Sequence, residues 1–172
     1  MKKLIVREIQ SPLGVITVVV KETKIIRIEF STWEEKKEKI THWCKKYGLP
    51  TDFAMKKDSL EPLETQLQNY FLGNSQAFSI DYELYGTPFQ IKVWRKLAEF
   101  VNYGETKTYQ DLAIAIGSPR AVRAIGGAMN KNPLSIIVPC HRIIGKNKKL
   151  VGYGGGLDKK IYLLNLEQTN DK

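Results

Sequence analysis

The sequence predicts an α+β fold: an N-terminal antiparallel sheet with helices, followed by a C-terminal helical domain with a winged helix-turn-helix. Three observations lead to this prediction. Apolar and polar residues alternate between Leu4 and Phe30, apolar residues recur at helical spacing through much of the remaining chain, and strong turn and helix-start signals lie around Thr87. We therefore divide the chain into an N-terminal α/β domain over 1–86 and a C-terminal domain over 87–172.

Three strands and two helices are predicted in the N-terminal domain. The strands cover 4–9, 15–20 and 25–30. The short turns between them favour an antiparallel meander. Apolar residues at helical spacing predict one helix over 33–47 and a second over 60–71, with Ser59 as its N-cap. The segment 78–84 is a candidate for one more strand.

Local signals mark the first helices of the C-terminal domain. Thr87 and Gln90 have the spacing of a capping box for a helix over 88–100, which begins with a proline. Thr108 is the N-cap of a second helix, over 109–116. These starts are the best-defined local features of the domain.

A glycine-containing turn separates the second helix from a third. Gly117 ends the second helix, and Ser118-Pro119 opens the third, which continues to Met129. Two short helices joined in this way form a helix-turn-helix. The apolar run 134–138 and the stretch that leads to Tyr153 then predict a strand pair, which indicates a winged variant.

One more helix is predicted at the end of the chain. Asp158 is its N-cap, and its apolar face holds Ile161, Leu163 and Leu164. The few residues after Glu167 are polar, and we expect them to fray.

Charge and composition favour a polyanionic partner and exclude several classes of protein. The formal net charge is +9, with 13 basic and 12 acidic residues in 1–86 but 14 and 6 in 87–172. No apolar run approaches the roughly 20 residues of a membrane helix, and no signal sequence is recognisable, so we expect a cytoplasmic protein without membrane attachment. Two cysteines exclude a disulfide framework and two histidines supply few zinc ligands. We expect no metal and no cofactor.

The two cysteines have different surroundings. Cys44 lies on the apolar face of a predicted helix, where we expect an inert, buried thiol. Cys140 precedes His141 and Arg142, a base and a permanent cation, which favour the nucleophilic thiolate by lowering the thiol pKa. Because adjacent residues of an extended chain point to opposite faces, we expect a bridging water between His141 and the sulfur. Glu167 is the candidate partner of this base, the alternative being an exposed helix-terminal carboxylate.

Small residues thin the third helix of the C-terminal domain: Ala124, Gly126, Gly127 and Ala128. They would let its backbone approach DNA closely, with Arg120 and Arg123 on the same surface. The alternative is tight helix–helix packing with a solvated Arg123. The pattern alone leaves both explanations open.

Four motifs of the C-terminal domain occur in a characteristic order. They are Arg123-Ala124-Ile125-Gly126-Gly127-Ala128-Met129, Asn132-Pro133, Pro139-Cys140-His141-Arg142, and Gly152-Tyr153-Gly154-Gly155-Gly156-Leu157 followed by Leu163-Leu164 and Glu167. In this order they resemble the O6-alkylguanine-DNA alkyltransferases. The resemblance covers 87–167 and implies direct DNA repair, in which a damaged guanine is flipped out of the duplex.

The resemblance also implies a role for each catalytic residue. Cys140 would take the alkyl group from guanine O6 irreversibly, in a single turnover. His141 would deprotonate the thiol through a water with Glu167 behind it, and Asn132 would hold the active-site turn by hydrogen bonds. Tyr109 would crowd the phosphate backbone and supply a proton to the departing guanine.

The implied DNA surface binds the minor groove and consists of Tyr109, Arg120, Arg123, Ala124 and Gly127. Arg123 would enter the base stack in place of the extruded nucleotide. The implied substrate pocket is lined by Met129, Pro139, Val151, Tyr153 and Gly154. Some relatives have a serine at position 154, so we expect a broader pocket here. The expected partner is duplex DNA that contains O6-alkylguanine, with O4-alkylthymine as a further candidate, bound by a monomer.

Two other functions fit parts of this pattern. A non-repairing DNA-binding module, as in the alkyltransferase-like proteins, would keep the DNA surface but replace the nucleophile, and the presence of Cys140 argues against it. A cysteine hydrolase would need an oxyanion hole and true turnover, and no motif marks either. The fate of the thiol in the presence of alkylated DNA distinguishes all three functions.

Overall fold

The computed structural model describes residues 2–170 and confirms the α+β fold class. The chain divides between Tyr85 and Gly86 into two compact units. The N-terminal unit contains a four-stranded sheet with helices, and the C-terminal unit is mainly helical with a two-stranded sheet. Within residues 2–170, no helix combines the length and the apolar character needed to cross a bilayer.

Four strands form the N-terminal sheet. Their bounds are β1 Leu4–Ser11, β2 Gly14–Lys21, β3 Lys24–Glu29 and β4 Phe53–Met55, and their order across the sheet is β3-β2-β1-β4. β1, β2 and β3 form the predicted antiparallel meander, with Ile9 opposite Ile16 in the first hairpin. β4 pairs in parallel with β1 and was not predicted, because three residues are too few for a periodic signal.

Two helices, α1 (Trp33–Lys46) and α2 (Leu63–Phe71), complete the regular structure described in this unit. The Thr32 hydroxyl caps α1 by accepting a hydrogen bond from the backbone N–H of Glu35. The buried members of the core between α1 and the sheet are Leu4, Val6, Val19, Ile26, Trp33, Ile40, Cys44 and Leu49. Burial raises the pKa of the Cys44 thiol to about 11, as expected for an unreactive cysteine in a core.

Two N-terminal predictions are wrong in detail. α2 begins later than predicted, and the Ser59 hydroxyl donates to the Glu61 carboxylate instead of capping the helix. The segment 78–84 forms no strand and contributes one bridge, between Tyr82 and Ile25. Part of its backbone bonds to a glutamine side chain, which replaces the bonds of a strand ladder.

The C-terminal unit contains helices, two short strands and two 3₁₀ turns. Their bounds are α3 Pro88–Phe100, β5 Lys107–Thr108, α4 Tyr109–Ala115, α5 Val122–Asn130, the 3₁₀ turn Cys140–Arg142, β6 Ile143–Ile144, the 3₁₀ turn Lys146–Lys148 and α6 Leu157–Asn170. The predicted N-caps of α3 and α4 both form as capping boxes, Thr87 with Gln90 and Thr108 with Asp111. Short-range polar contacts therefore fix where these two helices begin.

The predicted strand over 134–138 is wrong. The backbone turns there, because Oδ1 of Asn132 accepts the N–H of Leu134 and Ile136 adopts a positive φ of 76°. The strand pair of this unit is instead β5 with β6, which run in parallel.

The turn between α4 and α5 is longer than predicted. Gly117, at φ 79°, follows the end of α4 as expected. Ser118 does not begin α5, because its carbonyl accepts the N–H of Ala121 in a separate turn. α5 therefore starts only at Val122.

The start and the buried face of α6 also differ from the prediction. α6 begins at Leu157, so Asp158 lies inside its first turn, where a carboxylate interacts favourably with the helix dipole. Leu163 and Leu164 are buried as predicted, but Ile161 is 39% exposed. Lys160 is buried in its place, so this face carries a charge that an apolar pattern could not reveal.

Candidate active site

A short strand pair brings the start of α4 close to Cys140. β5 directly precedes α4, and its partner β6 directly follows the 3₁₀ turn that contains the cysteine. Tyr109 is the first residue of α4, and burial together with the charge of Cys140 raises the pKa of its phenol. A protonated phenol therefore lies within electrostatic reach of the sulfur.

The side chain of Asn132 organises the chain before Cys140. Its Nδ2 donates to the carbonyl of Val138 at 2.8 Å and to Sγ of Cys140 at 3.0 Å. Its Oδ1 accepts the N–H of Leu134 at 3.0 Å. One amide thus closes the turn over 134–138 and places a hydrogen-bond donor at the sulfur.

Burial dominates the electrostatics of Cys140, which is 5% exposed. Burial raises the pKa of the thiol, while the Asn132 hydrogen bond, the Lys160 charge and the Tyr153 hydroxyl lower it by less. The thiol is therefore protonated at neutral pH and needs a base to become a nucleophile. The expectation that the adjacent residues depress this pKa is wrong, because burial raises it, the cation that lowers it is Lys160, and the guanidinium of Arg142 pairs with a carboxylate.

His141 and Glu167 form a buried pair. Nε2 of His141 lies 2.7 Å from Oε2 of Glu167, and the two side chains are 0% and 1% exposed. Burial lowers the pKa of His141, so the ring is neutral at pH 7 and Nε2–H donates to the carboxylate. Nδ1, the remaining basic nitrogen, is buried and has no hydrogen-bond partner within the part of the chain that the structure describes. Because the Glu167 side chain is buried, the alternative of an exposed helix-terminal carboxylate is wrong.

The backbone at Cys140 is a 3₁₀ turn and not the extended chain that was expected. The side chains of Cys140 and His141 nevertheless diverge, because the first contacts Asn132 and the second contacts Glu167 on α6. The water expected between the thiol and the imidazole stays a prediction.

Arg142 belongs to the same buried network, although the sequence pattern gave no indication of this. Its Nε donates to Oε1 of Glu167 at 2.7 Å and its Nη2 to Oε2 at 3.0 Å. Burial acts to raise the pKa of Glu167, but the hydrogen bonds and charges of His141 and Arg142 outweigh it and lower that pKa to about 2. Glu167 is therefore a carboxylate at neutral pH.

Lys160 is a second buried cation that was missed. Its Nζ donates to the carbonyl of Ile143 at 2.6 Å and to that of Val151 at 2.9 Å. It thereby joins the end of the active-site segment to the chain that follows. Lys160 and Glu167 stand two helical turns apart on α6, on the face of its buried leucines. No feature of the sequence marks Lys160 as buried, because a lysine on a helix is normally solvated.

Four of the predicted DNA-binding residues lie on an exposed surface of α5 and the turn before it, namely Arg120, Arg123, Ala124 and Gly127. The fifth, Tyr109, is half-buried at the start of α4. Among the described residues, no atom beyond the local helix lies within 4 Å of where a Cβ on Gly126 or Gly127 would stand. Tight packing of α5 against another helix is therefore not the reason for these two glycines. The thin surface of α5 is open to a partner.

The opposite side of α5 is anchored to α3. The indole N–H of Trp94 donates to the carbonyl of Ala128 at 2.9 Å, and Trp94 is 1% exposed. A Cβ on Gly86 would stand 2.5 Å from the Trp94 ring, so this close approach requires glycine.

The predicted pocket residues differ in burial. Met129 and Pro139 are buried, whereas Val151 and Gly154 are exposed. Burial raises the pKa of the Tyr153 phenol well above its ordinary value, and the hydroxyl also interacts with Cys140 and Ser135. A Cβ on Gly154 would make an ordinary contact of 3.5 Å with a backbone carbonyl, so the site has room for a side chain there.

Family models match both units of the chain. The ribonuclease-like domain of 6-O-methylguanine DNA methyltransferase matches residues 4–84, and the DNA binding domain of the same family matches residues 88–169. The methylated-DNA–protein-cysteine methyltransferase of Methanosarcina barkeri is 40% identical over 94% of this chain and 96% of its own length. The constitutive methylated-DNA–protein-cysteine methyltransferase of Bacillus subtilis is 41% identical, over 95% of this chain and 94% of that protein.

Solved structures agree with these matches. The structure of Mycobacterium tuberculosis OGT in complex with DNA superposes with a TM-score of 0.82 at 36% identity, covering 96% of this chain and 94% of that one. The O6-methylguanine-DNA methyltransferase of the archaeon Pyrococcus kodakaraensis superposes with a TM-score of 0.74 at 27% identity, over 95% and 98% of the two chains. The chain therefore belongs to the family of methylated-DNA–protein-cysteine methyltransferases.

Proposed function

We propose that this protein repairs DNA by transferring the alkyl group of O6-alkylguanine in duplex DNA to Sγ of its own Cys140, once per molecule. The observation that carries the proposal is the buried sulfur that accepts a hydrogen bond from the Asn132 amide, next in the chain to the His141–Glu167 pair. A thiol with a raised pKa needs a base, and His141 supplies an unprotonated Nδ1.

The proposed step is a displacement at the alkyl carbon. Nδ1 of His141 takes the thiol proton through a water, and the thiolate attacks the alkyl carbon, so that a C–S bond forms while the C–O6 bond breaks. The departing guanine gains a proton from Tyr109, whose raised pKa keeps its phenol protonated before the transfer. The proton that His141 took from the thiol then returns through solvent to the Tyr109 phenolate, so that both side chains regain their starting protonation. The Asn132 N–H and the Lys160 charge stabilise the thiolate before attack.

The exposed surface of α5 suits the DNA-binding role. The damaged base must leave the stack before O6 can reach a buried sulfur. We propose that Arg123 fills the gap in the stack, that Ala124 and Gly127 allow close approach of the helix, and that Arg120 and Tyr109 contact the phosphate backbone. The excess of basic over acidic residues in 87–172 supports binding to a polyanion.

We propose that the two domains have separate functions, with the boundary that the sequence predicts. Residues 87–172 would bind DNA and carry out the transfer, while 1–86 would form a separate α/β domain. A monomer in the cytoplasm would suffice, and a reducing compartment would keep the free thiol of Cys140 available. Cell fractionation and sedimentation of the purified protein test location and oligomeric state.

Titration of the protein with excess alkylated duplex DNA tests the function. We expect a burst of repaired guanine equal to the active protein and then no further reaction, since a thioether is not hydrolysed under ordinary conditions. Peptide mass spectrometry should locate the alkyl group on Cys140, and Cys140→Ser should abolish the burst while DNA binding persists. Cys44→Ser is the matched control and should keep the burst. Continued turnover would favour a cysteine hydrolase, and binding without a mass gain would favour a DNA-binding module.

A further inference from the structure

Arg142 has a set of buried contacts that the proposed reaction leaves without a role. Its Nε and Nη2 form a fork on the Glu167 carboxylate, at 2.7 and 3.0 Å. Its Nη1 donates to the carbonyl of Val101, the C-cap of α3, at 3.0 Å. The guanidinium carbon lies 5.7 Å from the centroid of the Tyr103 ring. Arg142 thus links α6 to the end of α3 through the turn that contains Cys140.

The two hydrogen bonds from Arg142 determine how the Glu167 carboxylate can bind the imidazole of His141. Oε1 accepts from Nε of Arg142, and Oε2 accepts from Nη2 while it faces Nε2 of His141 at 2.7 Å. A carboxylate gripped by two guanidinium N–H groups is ionised, fixed in orientation and able only to accept. Nε2 of a neutral His141 must then carry the proton, and Nδ1 must be the bare nitrogen.

We propose that Arg142 is a positioning residue that locks His141 in the Nε2–H tautomer and so makes Nδ1 the acceptor of the thiol proton. This inference rests on the proposed alkyl transfer to Cys140, where a base is required. Without the fork, the Glu167 carboxylate could rotate or bind a proton. The imidazole could then adopt the Nδ1–H tautomer, which presents no base to the thiol.

The charges that face His141 give the direction of the expected pH effects. Glu167 and Lys160 face it from α6, and Arg142 follows it in the turn. Burial lowers the pKa of His141, the Glu167 carboxylate raises it, and the Arg142 and Lys160 charges lower it. Loss of the Arg142 charge should therefore let the His141–Glu167 pair take up a proton at higher pH. Loss of the Glu167 charge should have the opposite effect.

Four variants of the full-length protein separate this role from simple loss of stability. Arg142→Lys keeps the positive charge but not the two-point hydrogen bonding to Glu167, and Arg142→Met removes the charge and the hydrogen bonds. Glu167→Gln removes the negative charge of the acceptor. Arg27→Lys is the matched control, because Arg27 is a buried arginine of the N-terminal unit that donates from Nε and Nη2 to Glu29. Single-turnover transfer from a duplex with one O6-methylguanine is measured between about pH 5 and 9. Active-site titration corrects each rate for unfolded protein.

The variants should differ in the rate at pH 7 and in the position of the acid limb of the pH–rate profile. Arg142→Lys should slow transfer at pH 7 by about tenfold or more, with the acid limb of the pH–rate profile near that of the wild type. Arg142→Met should move the acid limb to higher pH, and Glu167→Gln should move it to lower pH. Arg27→Lys should leave both the rate and the limb unchanged. Identical limbs in all four variants would overturn the proposal.

A second measurement needs no substrate and applies even where Arg142→Met does not fold. Nitrogen-15 NMR of the histidine rings reports the tautomer directly, and the chain has two histidines, so His42→Gln assigns the signals. We expect Nε2–H in the wild type and a mixture with Nδ1–H in Arg142→Lys. An Nδ1–H ring in the wild type, or a wild-type tautomer and rate in Arg142→Lys, would refute the role of Arg142. Failure of the wild type to accept any alkyl group would instead refute the proposed function.

Discussion

Nδ2 of Asn132 lies 3.0 Å from Sγ of Cys140 while the same atom donates to the carbonyl of Val138. An amide N–H can only donate, so its interaction with the sulfur becomes stronger when the thiol becomes a thiolate. The side chain that shapes the turn therefore also stabilises the nucleophilic form of the cysteine. A change at position 132 should affect both the position and the charge of the sulfur.

Asn132→Asp should slow alkyl transfer at pH 7 by at least about tenfold, which corresponds to roughly 1.4 kcal/mol of barrier. The variant keeps the shape of the side chain but replaces the donor at the sulfur with a negative charge, which raises the thiol pKa further. Single-turnover kinetics measure the rate. Asn130→Asp makes the same chemical change at an exposed residue and should retain the wild-type rate. Equal rates in Asn132→Asp and the wild type would contradict a role of the amide at the sulfur.

Lys160→Met should raise the pKa of the Cys140 thiol, because the Lys160 charge lowers it. The rate of Cys140 carboxamidomethylation, followed by peptide mass spectrometry as a function of pH, should show a midpoint at higher pH. The pH midpoint of this rate is the test, since looser packing alone would change the rate reached at high pH. Lys159→Met is the control, because Nζ of Lys159 pairs with exposed Asp158, and its midpoint should not move.

The stability contributed by Glu167 should vanish in acid. Its pKa is lowered from 4.5 to about 2, so the contribution is complete above about pH 4.5 and is lost as the pH falls toward 2. A shift of this size corresponds to a contribution on the order of 3 kcal/mol to the free energy of unfolding. Urea unfolding of the wild type and Glu167→Gln should therefore give a large difference at pH 7 that narrows between pH 4.5 and 3.

An exposed carboxylate supplies the control for this measurement. Glu99 pairs with Lys96 on α3 and is 71% exposed. Glu99→Gln should change the free energy of unfolding by no more than about 1 kcal/mol at either pH. A pH-independent difference for Glu167→Gln would show that its carboxylate does not carry a depressed pKa.

Arg123→Ala should impair repair of duplex DNA far more than reaction with free O6-alkylguanine base. An inserted side chain helps only where a base must leave a stack, and extrusion costs a few kcal/mol, so a loss of about ten- to a hundredfold is expected on the duplex. Rates on both substrates test this directly. Equal losses on the two would argue against insertion.

Local signals in the sequence predicted much of the fold. The capping boxes at Thr87 and Thr108 depend on residues three apart, and the meander depends on short apolar segments separated by turn residues, so both were readable. The run 134–138 was misread because Leu134, Ile136 and Val138 are buried in a turn, which the side chain of Asn132 closes. Burial alone does not distinguish a turn from a strand.

The site could be predicted only in part for a similar reason. The residues around Cys140 and the family resemblance both marked His141 and Glu167 as candidates, and the structure brings these two side chains together. Spacing could not reveal that Arg142 grips the carboxylate or that Lys160 is buried, because both facts depend on how α6 packs against the 3₁₀ turn. Lysine and arginine side chains are normally exposed to solvent, and a hydropathy pattern therefore predicts them to be exposed.

The bond from Trp94 to the carbonyl of Ala128 gives the molecule an internal optical probe. The other tryptophans, Trp33 and Trp43, both belong to the N-terminal unit. With those two replaced by phenylalanine, the remaining fluorescence would come from an indole bonded to the last turn of α5. Its emission would then follow, in real time, any displacement of that helix when DNA arrives.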